Sequence, residues 1–307
     1  MAATQQRARE LTDELVQHIY GTLVDETNIT PREVVKGGSL GQGTAVDGEF
    51  DLDLIIITED ITLKQIMPDS NSEPDFSYWL NQLKRYLHAT LASACRILTV
   101  TKHAVIFDYF GKTQGTGAIK VDMLISPYVQ NLRELYYFLQ QLKEEYQYNF
   151  SVCTSKWQVE FVSGQPNEVK DLIRKMKMWR NSIWTNPRTR PKSYLISLLV
   201  IKAFEKAKES GSSSAKDVTI KLQEMIRDHK TLNILWSRNY SEGYGGDLKI
   251  PADCLRSPRL LDPANPFNNM YTSGTSTQST SGADDKWFEI AGHIATLDLR
   301  EANGTKA

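Results

Sequence analysis

Val34-Val35-Lys36-Gly37-Gly38-Ser39-Leu40-Gly41-Gln42-Gly43-Thr44, followed after six residues by Asp51-Leu52-Asp53-Leu54-Ile55-Ile56-Ile57, is the stretch that decides the fold. Two valines lead into a glycine-rich turn. Phe50 to Thr58 then reads as a strand, alternating at first and continuously apolar afterwards. Such a run belongs at the centre of a sheet, covered on both faces. Residues i and i+2 of a strand share a face, so Asp51 and Asp53 project together, with Phe50, Leu52 and Leu54 on the other side. Adjacent carboxylates repel and resist deprotonation unless a cation sits between them.

A third carboxylate comes from a second predicted strand, Ile119-Lys120-Val121-Asp122-Met123-Leu124. Its apolar neighbours make a lone charge at Asp122 costly. Hard oxygen donors of this kind suit Mg²⁺ or Mn²⁺. Three carboxylates on neighbouring strands can hold two metal ions, activate a hydroxyl and stabilise a leaving pyrophosphate. In that arrangement Asp51 and Asp53 bridge both ions and Asp122 serves the ion at the attacking hydroxyl. The backbone N–H groups around Gly38 and Ser39 would grip terminal phosphates. A bare Asp-x-Asp can also be two solvated residues at a strand end. The glycine turn upstream and Asp122 downstream weigh against that alternative.

Working outward, apolar residues at helical spacing (Leu11, Leu15, Ile19, Leu23) predict a helix over residues 7–24, broken at Thr30-Pro31. Residues 66–76 read as a loop and 77–96 as a helix. Two strands follow near 98–109 and 118–126, then a helix over 129–147. From about 166 the pattern is helical: Asn167 is placed to cap a helix running to about 183, and further helices cover 191–208 and 216–227. Residues 272–285 form a low-complexity polar stretch, read as a mobile spacer loop, before a last helix over 286–297. The expectation is an α/β (α+β) chain of two lobes with a cleft between them: residues 1–165 as the catalytic lobe with an N-terminal helix, and 166–307 as a helical lobe.

Composition narrows the function class. The chain has 307 residues with 40% hydrophobic and 24% charged residues, which excludes a disordered or collagen-like chain. No run reaches about 18 apolar residues, and the polar first residues predict no signal peptide. Cys95, Cys153 and Cys254 lie far apart and form no CxxC, which predicts a reducing, cytoplasmic setting without zinc. The net charge of −1 hides an asymmetry: residues 1–75 carry 15 Asp/Glu against 5 Lys/Arg, and residues 170–230 carry 15 Lys/Arg against 6 Asp/Glu. Acidic and basic halves suit metal ions and polyphosphates, although either can equally be a solvated surface.

A second signal is the helix from Val169 to Asn181. Leu172, Ile173, Met176, Trp179 and Ile183 fall on one face, and Lys170, Arg174 and Lys177 on the other. That basic ridge can hold a triphosphate or simply face water. Tyr194 opens the next helix, where it can stack on a base or pack in the interior. No HExxH, GxSxG or P-loop GK[ST] is present.

These residues resemble the oligoadenylate synthetase and cGAS-like receptor family. The glycine turn with Asp51-Leu52-Asp53-Leu54 is similar to the synthetase signature. Further resemblance lies in Phe150-Ser151-Val152-Cys153-Thr154, Lys170-Asp171-Leu172-Ile173-Arg174-Lys175-Met176-Lys177-Met178-Trp179, Pro191-Lys192-Ser193-Tyr194, Leu261-Asp262-Pro263-Ala264-Asn265-Pro266 and Lys286-Trp287-Phe288. The Gly-Ser plus Asp-x-Asp pattern is shared by many polymerase-beta-like nucleotidyltransferases; the Leu-Asp-Pro-Ala element and the Leu-Ile-Arg helix are narrower.

The resemblance implies a bilobal nucleotidyltransferase fold and an innate-immune sensor of double-stranded RNA that joins nucleoside triphosphates through 2′-5′ bonds. It implies a metal triad of Asp51, Asp53 and Asp122, and nucleotide contacts from Gly38, Ser39, Arg174, Lys177, Ser193 and Tyr194. Lys36 matches a retained RNA contact. Ser193 stands where the synthetases have Gln, which favours a cyclic dinucleotide over a linear oligoadenylate. Gln42 replaces a lysine, and Val159 and Ser163 replace basic residues of the RNA groove. The His-Cys-Cys-Cys zinc cluster of vertebrate cGAS has no counterpart. Two other readings stay open: an unregulated poly(A)-type nucleotidyltransferase and a catalytically silent RNA-binding relative.

Overall fold

The computed structural model describes residues 2–46, 52–67, 73–111, 118–241, 250–275 and 280–299. The chain divides into two compact units, Met1–Glu160 and Phe161–Ala307.

In the first unit, helix α1 (Ala2–Thr27) places Leu11, Leu15, Ile19 and Leu23 on one stripe, each fully buried. Strand β1 (Glu33–Lys36) follows, then a one-turn helix at Gly38–Gly41 and strand β2 (Leu52–Thr58). Helix α2 (Ser77–Thr90) packs on α1, where the Thr22 and Tyr86 hydroxyls lie 3.1 Å apart. Strands β3 (Cys95–Val100), β4 (Val105–Tyr109) and β5 (Ile119–Pro127) complete a five-stranded sheet of order β1-β2-β5-β4-β3. The β2–β5 pair is parallel and the other pairs are antiparallel, so the sheet is mixed. Leu52, Leu54, Ile55, Ile56 and Ile57 are all buried, as a central strand requires. Helix α3 (Leu132–Leu139) and helix α4 (Ser151–Ser163) follow.

Three local expectations are corrected here. The helix expected over 77–96 stops at Thr90, because Cys95–Val100 is rich in β-branched residues and pairs with β4. The single strand expected near 98–109 is therefore a hairpin. Its turn contains neither Gly nor Pro. It is held instead by Thr101, whose Oγ1 accepts from the His103 and Ala104 N–H groups. The helix expected over 129–147 is broken after Leu139 and resumes for one turn at Glu144–Gln147. Helix α4 had no counterpart among the expected elements.

The second unit is built on helices α5 (Asn167–Ile183), α6 (Ser193–Glu209) and α7 (Ala215–Arg227). Asn167 is the first residue of α5, with Pro166 at the cap position, rather than the cap itself. Leu195 through Ile201 are buried without a break, which makes α6 the central helix. The unit is not wholly helical. Strands β6 (Asn233–Ile234), β7 (Arg259–Asp262) and β8 (Asn265–Asn269) form a small sheet in that order. The Leu261-Asp262-Pro263-Ala264-Asn265 element supplies the β7–β8 turn.

The mobile loop expected over 272–285 is also corrected. Residues 276–279 lie outside the described residues, but both flanks are packed structure. A one-turn helix covers Met270–Ser273, Thr275 is 1% exposed, and helix α8 (Thr280–His293) begins six residues before the expected start. Ala283 is fully buried, and Asp284 Oδ1 accepts from the Tyr271 hydroxyl at 2.7 Å. Trp287 lies parallel to the Tyr271 ring at 5.0 Å. Gly274 and Ala283 in this segment serve close packing. A Cβ on Gly274 would sit 2.6 Å from the Met270 carbonyl oxygen and 2.9 Å from Leu195 Cβ.

Two glycines give a paired test. Gly274→Ala is expected to destabilise by about 1–3 kcal/mol through overpacking and to lower the thermal midpoint by about 3–10 °C. Gly292→Ala, at a position in α8 with nothing within 4 Å of the added Cβ, is expected to stabilise by about 0.5–1 kcal/mol. Thermal melts of the two variants beside the unaltered protein check both signs.

Candidate functional site

The glycine turn folds back onto the start of β2. The Gly37 N–H donates to the Asp53 carbonyl at 2.6 Å. A Cβ on Gly37 would meet Asp53 Cβ at 2.9 Å and Ile55 Cδ1 at 2.8 Å, so the turn approaches the strand as closely as only glycine allows. Gly38 has φ +60° and Gly43 has φ +69°, in the left-handed region. The turn closes with the Thr44 N–H donating to the Ser39 carbonyl at 2.9 Å, and Thr44 is fully buried. Gly38 and Ser39 are thereby held directly beside the strand that carries Asp53.

Asp53 and Asp122 are register partners on β2 and β5. In-register residues of neighbouring strands point to the same face, with backbones about 4.8 Å apart. Both aspartates are half-buried, whereas Leu52, Leu54, Val121 and Met123 are buried on the opposite face. Asp51 lies outside the described residues. Among the described residues no group of three His, Cys, Asp or Glu converges. The Asp53–Asp122 pair is a two-carboxylate, all-oxygen donor set, which fits a hard divalent cation rather than zinc.

Lys36, at the end of β1, forms an ion pair with Asp13 of α1. Both side chains are largely exposed, so the pair contributes at most about 1 kcal/mol.

The remaining expected contacts lie in the second unit, on α5 and the start of α6. The basic ridge, read as either holding a triphosphate or facing water, is solvent-facing only in part. Arg174 pairs with Asp171, and Lys170 Nζ donates to the Ser163 carbonyl. Lys177 is 3% exposed. Burial, reinforced by the Arg180 and Arg174 cations, brings its ammonium down to about 7. The buried face of α5 is thus wider than its apolar stripe, taking in Lys177 and Arg180.

Two residues of this region escaped the sequence analysis. Arg180 is 5% exposed, and its Nη1 donates to Ser193 Oγ at 2.8 Å and to the Pro191 carbonyl at 3.0 Å, tying α5 to the first turn of α6. The available signal was its spacing of three from Lys177. Asp262 is fully buried and accepts the Tyr194 hydroxyl proton at 2.9 Å; nothing in the sequence links positions 68 residues apart.

The Gly37 contact generates a prediction. Gly37→Ala is expected to push the turn off β2 and weaken uptake of Mg²⁺ or Mn²⁺ by about tenfold, with secondary structure retained. Metal titration followed by thermal shift, alongside circular dichroism, measures both. Undiminished metal affinity would show that the turn does not set the position of Asp53.

Comparison with known proteins follows the same lines. The family model described as 2'-5'-oligoadenylate synthetase 1, domain 2, C-terminus matches residues 128–291, more than half of the chain and wholly C-terminal to Asp122. 2'-5'-Oligoadenylate synthase 2 of Rattus norvegicus is 24% identical over 320 residues, covering 95% of this chain and 40% of the relative. The chain thus spans less than half the length of that relative. The inactive 2'-5'-oligoadenylate synthase 1B of Rattus norvegicus is 24% identical, covering 86% of this chain and 71% of its own length. Among solved structures, CdnC of E. coli MS115-1, determined with ATP, superposes with a TM-score of 0.53 at 16% identity, over 98% of this chain and 86% of that one. That likeness shows a shared nucleotidyltransferase fold. With its mixed sheet, its glycine turn and a majority of its length matched by the family model, the chain belongs to the 2′-5′-oligoadenylate synthetase family.

Proposed function

We propose that this chain is a metal-dependent nucleotidyltransferase that joins nucleoside triphosphates, with release of pyrophosphate, into a second messenger containing a 2′-5′ linkage. The observation that carries the reading is the in-register Asp53–Asp122 pair beside the glycine turn. Two half-buried carboxylates on parallel neighbours repel each other, and a divalent cation relieves the repulsion. Asp51, Asp53 and Asp122 would hold Mg²⁺ or Mn²⁺. When bound, such ions lower the pKa of a hydroxyl and neutralise charge on a leaving pyrophosphate.

The chain's own groups do the rest. The Gly38 and Ser39 N–H groups orient the terminal phosphates. A carboxylate oxygen of Asp122 takes the proton of the attacking hydroxyl. Arg174 and Lys177 offset triphosphate charge, and Ser193 and Tyr194 meet the nucleoside. Activation by double-stranded RNA through a patch including Lys36, action in the cytoplasm in innate immunity, and a cyclic dinucleotide in preference to linear oligoadenylate complete the proposal. The Lys36–Asp13 pair means that an RNA phosphate must displace a carboxylate to reach Lys36.

The test is to incubate purified protein with the four labelled triphosphates and Mg²⁺, with and without a long RNA duplex, beside Asp122→Asn. A product formed only with duplex RNA and only with Asp122 intact supports the reading. Resistance of that product to phosphatase marks a cyclic messenger, and a ladder trimmed by phosphatase marks linear oligomers. Product without RNA favours an unregulated polymerising enzyme. No product under any condition favours a silent relative, of which the inactive rat protein is an example by name.

Lys177 adds a pH dependence. Its ammonium titrates near 7 in the folded chain, below the ordinary lysine value of 10.5. Between these values the unfolded chain binds more protons, so this group's contribution to stability rises with pH across that window. Triphosphate binding runs the other way, because Lys177 loses its charge as pH rises through about 7. The KM for triphosphate is therefore expected to climb above pH 7 in the unaltered protein and to stay flatter in Lys177→Met. Parallel pH profiles for the two proteins would sink this role for Lys177.

A further inference from the structure

Asp262 closes β7 in the Leu261-Asp262-Pro263-Ala264 turn and is fully buried. A carboxylate in such a place is sustained by hydrogen bonds or not at all. Its Oδ1 accepts from the Ala264 N–H at 2.9 Å and from the Tyr194 hydroxyl at 2.9 Å. Its main-chain carbonyl accepts from the Tyr240 hydroxyl, also at 2.9 Å, and Tyr240 is itself 8% exposed. The carboxylate is pinned from two directions and in turn holds the phenol of Tyr194. The other end of that tyrosine is fixed as well, because Arg180 holds Ser193 and Pro191 at the start of α6. The Tyr194 ring is half-buried and packs against the unit's core.

A tyrosine whose hydroxyl points into the protein has only its ring to offer a ligand. We infer that Asp262 is a positioning residue that locks Tyr194 as a stacking platform for a nucleobase, so that this position recognises any base by its π face and leaves base selectivity to other groups. The inference rests on the reading of Tyr194 as a nucleotide contact. It gives the Leu-Asp-Pro-Ala turn a task in the binding site although the turn lies on a different element from any expected nucleotide contact.

The experiment compares Tyr194→Ala, Tyr194→Phe, Asp262→Asn and the Tyr194→Phe/Asp262→Asn double variant. Dissociation constants for each of the four triphosphates are measured by equilibrium dialysis, with kcat, KM and melting temperature beside them. Tyr194→Phe keeps the ring and removes the bond to Asp262. It is expected to weaken binding about fivefold, by the same factor for every triphosphate bound, with a larger effect on KM than on kcat and a melting temperature lowered by about 3–10 °C, because the buried carboxylate loses a donor. Asp262→Asn keeps an oxygen that can accept the Tyr194 hydroxyl and is expected to weaken binding less than Tyr194→Phe, and the double variant to be no weaker than Tyr194→Phe alone, because loss of the hydroxyl already removes the interaction. Should Asp262→Asn fail to fold, Tyr194→Phe alone decides.

If Tyr194→Ala weakens binding while Tyr194→Phe leaves it unchanged, the positioning role falls and the nucleotide contact stands. If Tyr194→Phe weakens binding of one base far more than the others, the hydroxyl reads the base and the inference is overturned. If Tyr194→Ala binds as the unaltered protein does, or the unaltered protein binds no triphosphate, the reading of Tyr194 itself falls.

Discussion

Two carboxylates held side by side on parallel strands are the constraint around which the first unit is arranged. Carboxylates that are register partners on neighbouring strands repel each other when both are ionised. Nothing about folding alone favours that arrangement. It persists because β2 and β5 are locked in register by a buried apolar face, Leu52 and Leu54 beside Val121 and Met123. Hydrophobic burial on one side of the sheet thus holds charge in place on the other. The same strand receives the glycine turn, which has no room for a side chain at Gly37. One strand therefore sets the positions of Asp53 and of the glycine turn together.

The second unit solves the opposite electrostatic problem. Two of its cations, Lys177 and Arg180, are drawn inside. Arg180 satisfies its guanidinium with Asn181, the Pro191 carbonyl and Ser193. Lys177, close to two arginines, responds by giving up its proton more readily. A buried lysine that is half-charged near neutrality regains its charge when an anion approaches. Asp262, at the end of β7, accepts the Tyr194 hydroxyl and so joins the small sheet to the central helix.

The main architecture was legible because its signals are local. The 2-residue alternation and apolar run at Phe50–Thr58, the glycine cluster before it, and the helical stripes of α1, α5, α6 and α7 each follow from neighbours in sequence. The errors share a cause. The β3–β4 hairpin turns on Thr101 side-chain bonds rather than on Gly or Pro, so the punctuation was invisible. The composition of Thr272–Asp285 suggests a loop, yet Gly274 is small because it approaches Leu195 and Ala283 because it is fully buried. Low complexity describes a composition, and close packing can call for the same residues.

The sequence by itself determined which residue types were available for chemistry, which strand bore the carboxylates, and which family the chain resembles, because each depends on spacing within a few residues. Tertiary structure alone decided that Asp53 stands opposite Asp122, that Lys177 is buried and Lys36 is paired with Asp13, and that Tyr194 is held by Asp262. Those facts join segments 23 to 69 positions apart. Register, burial and hydrogen-bond partner over such separations are set by how whole elements pack, which local patterns do not encode.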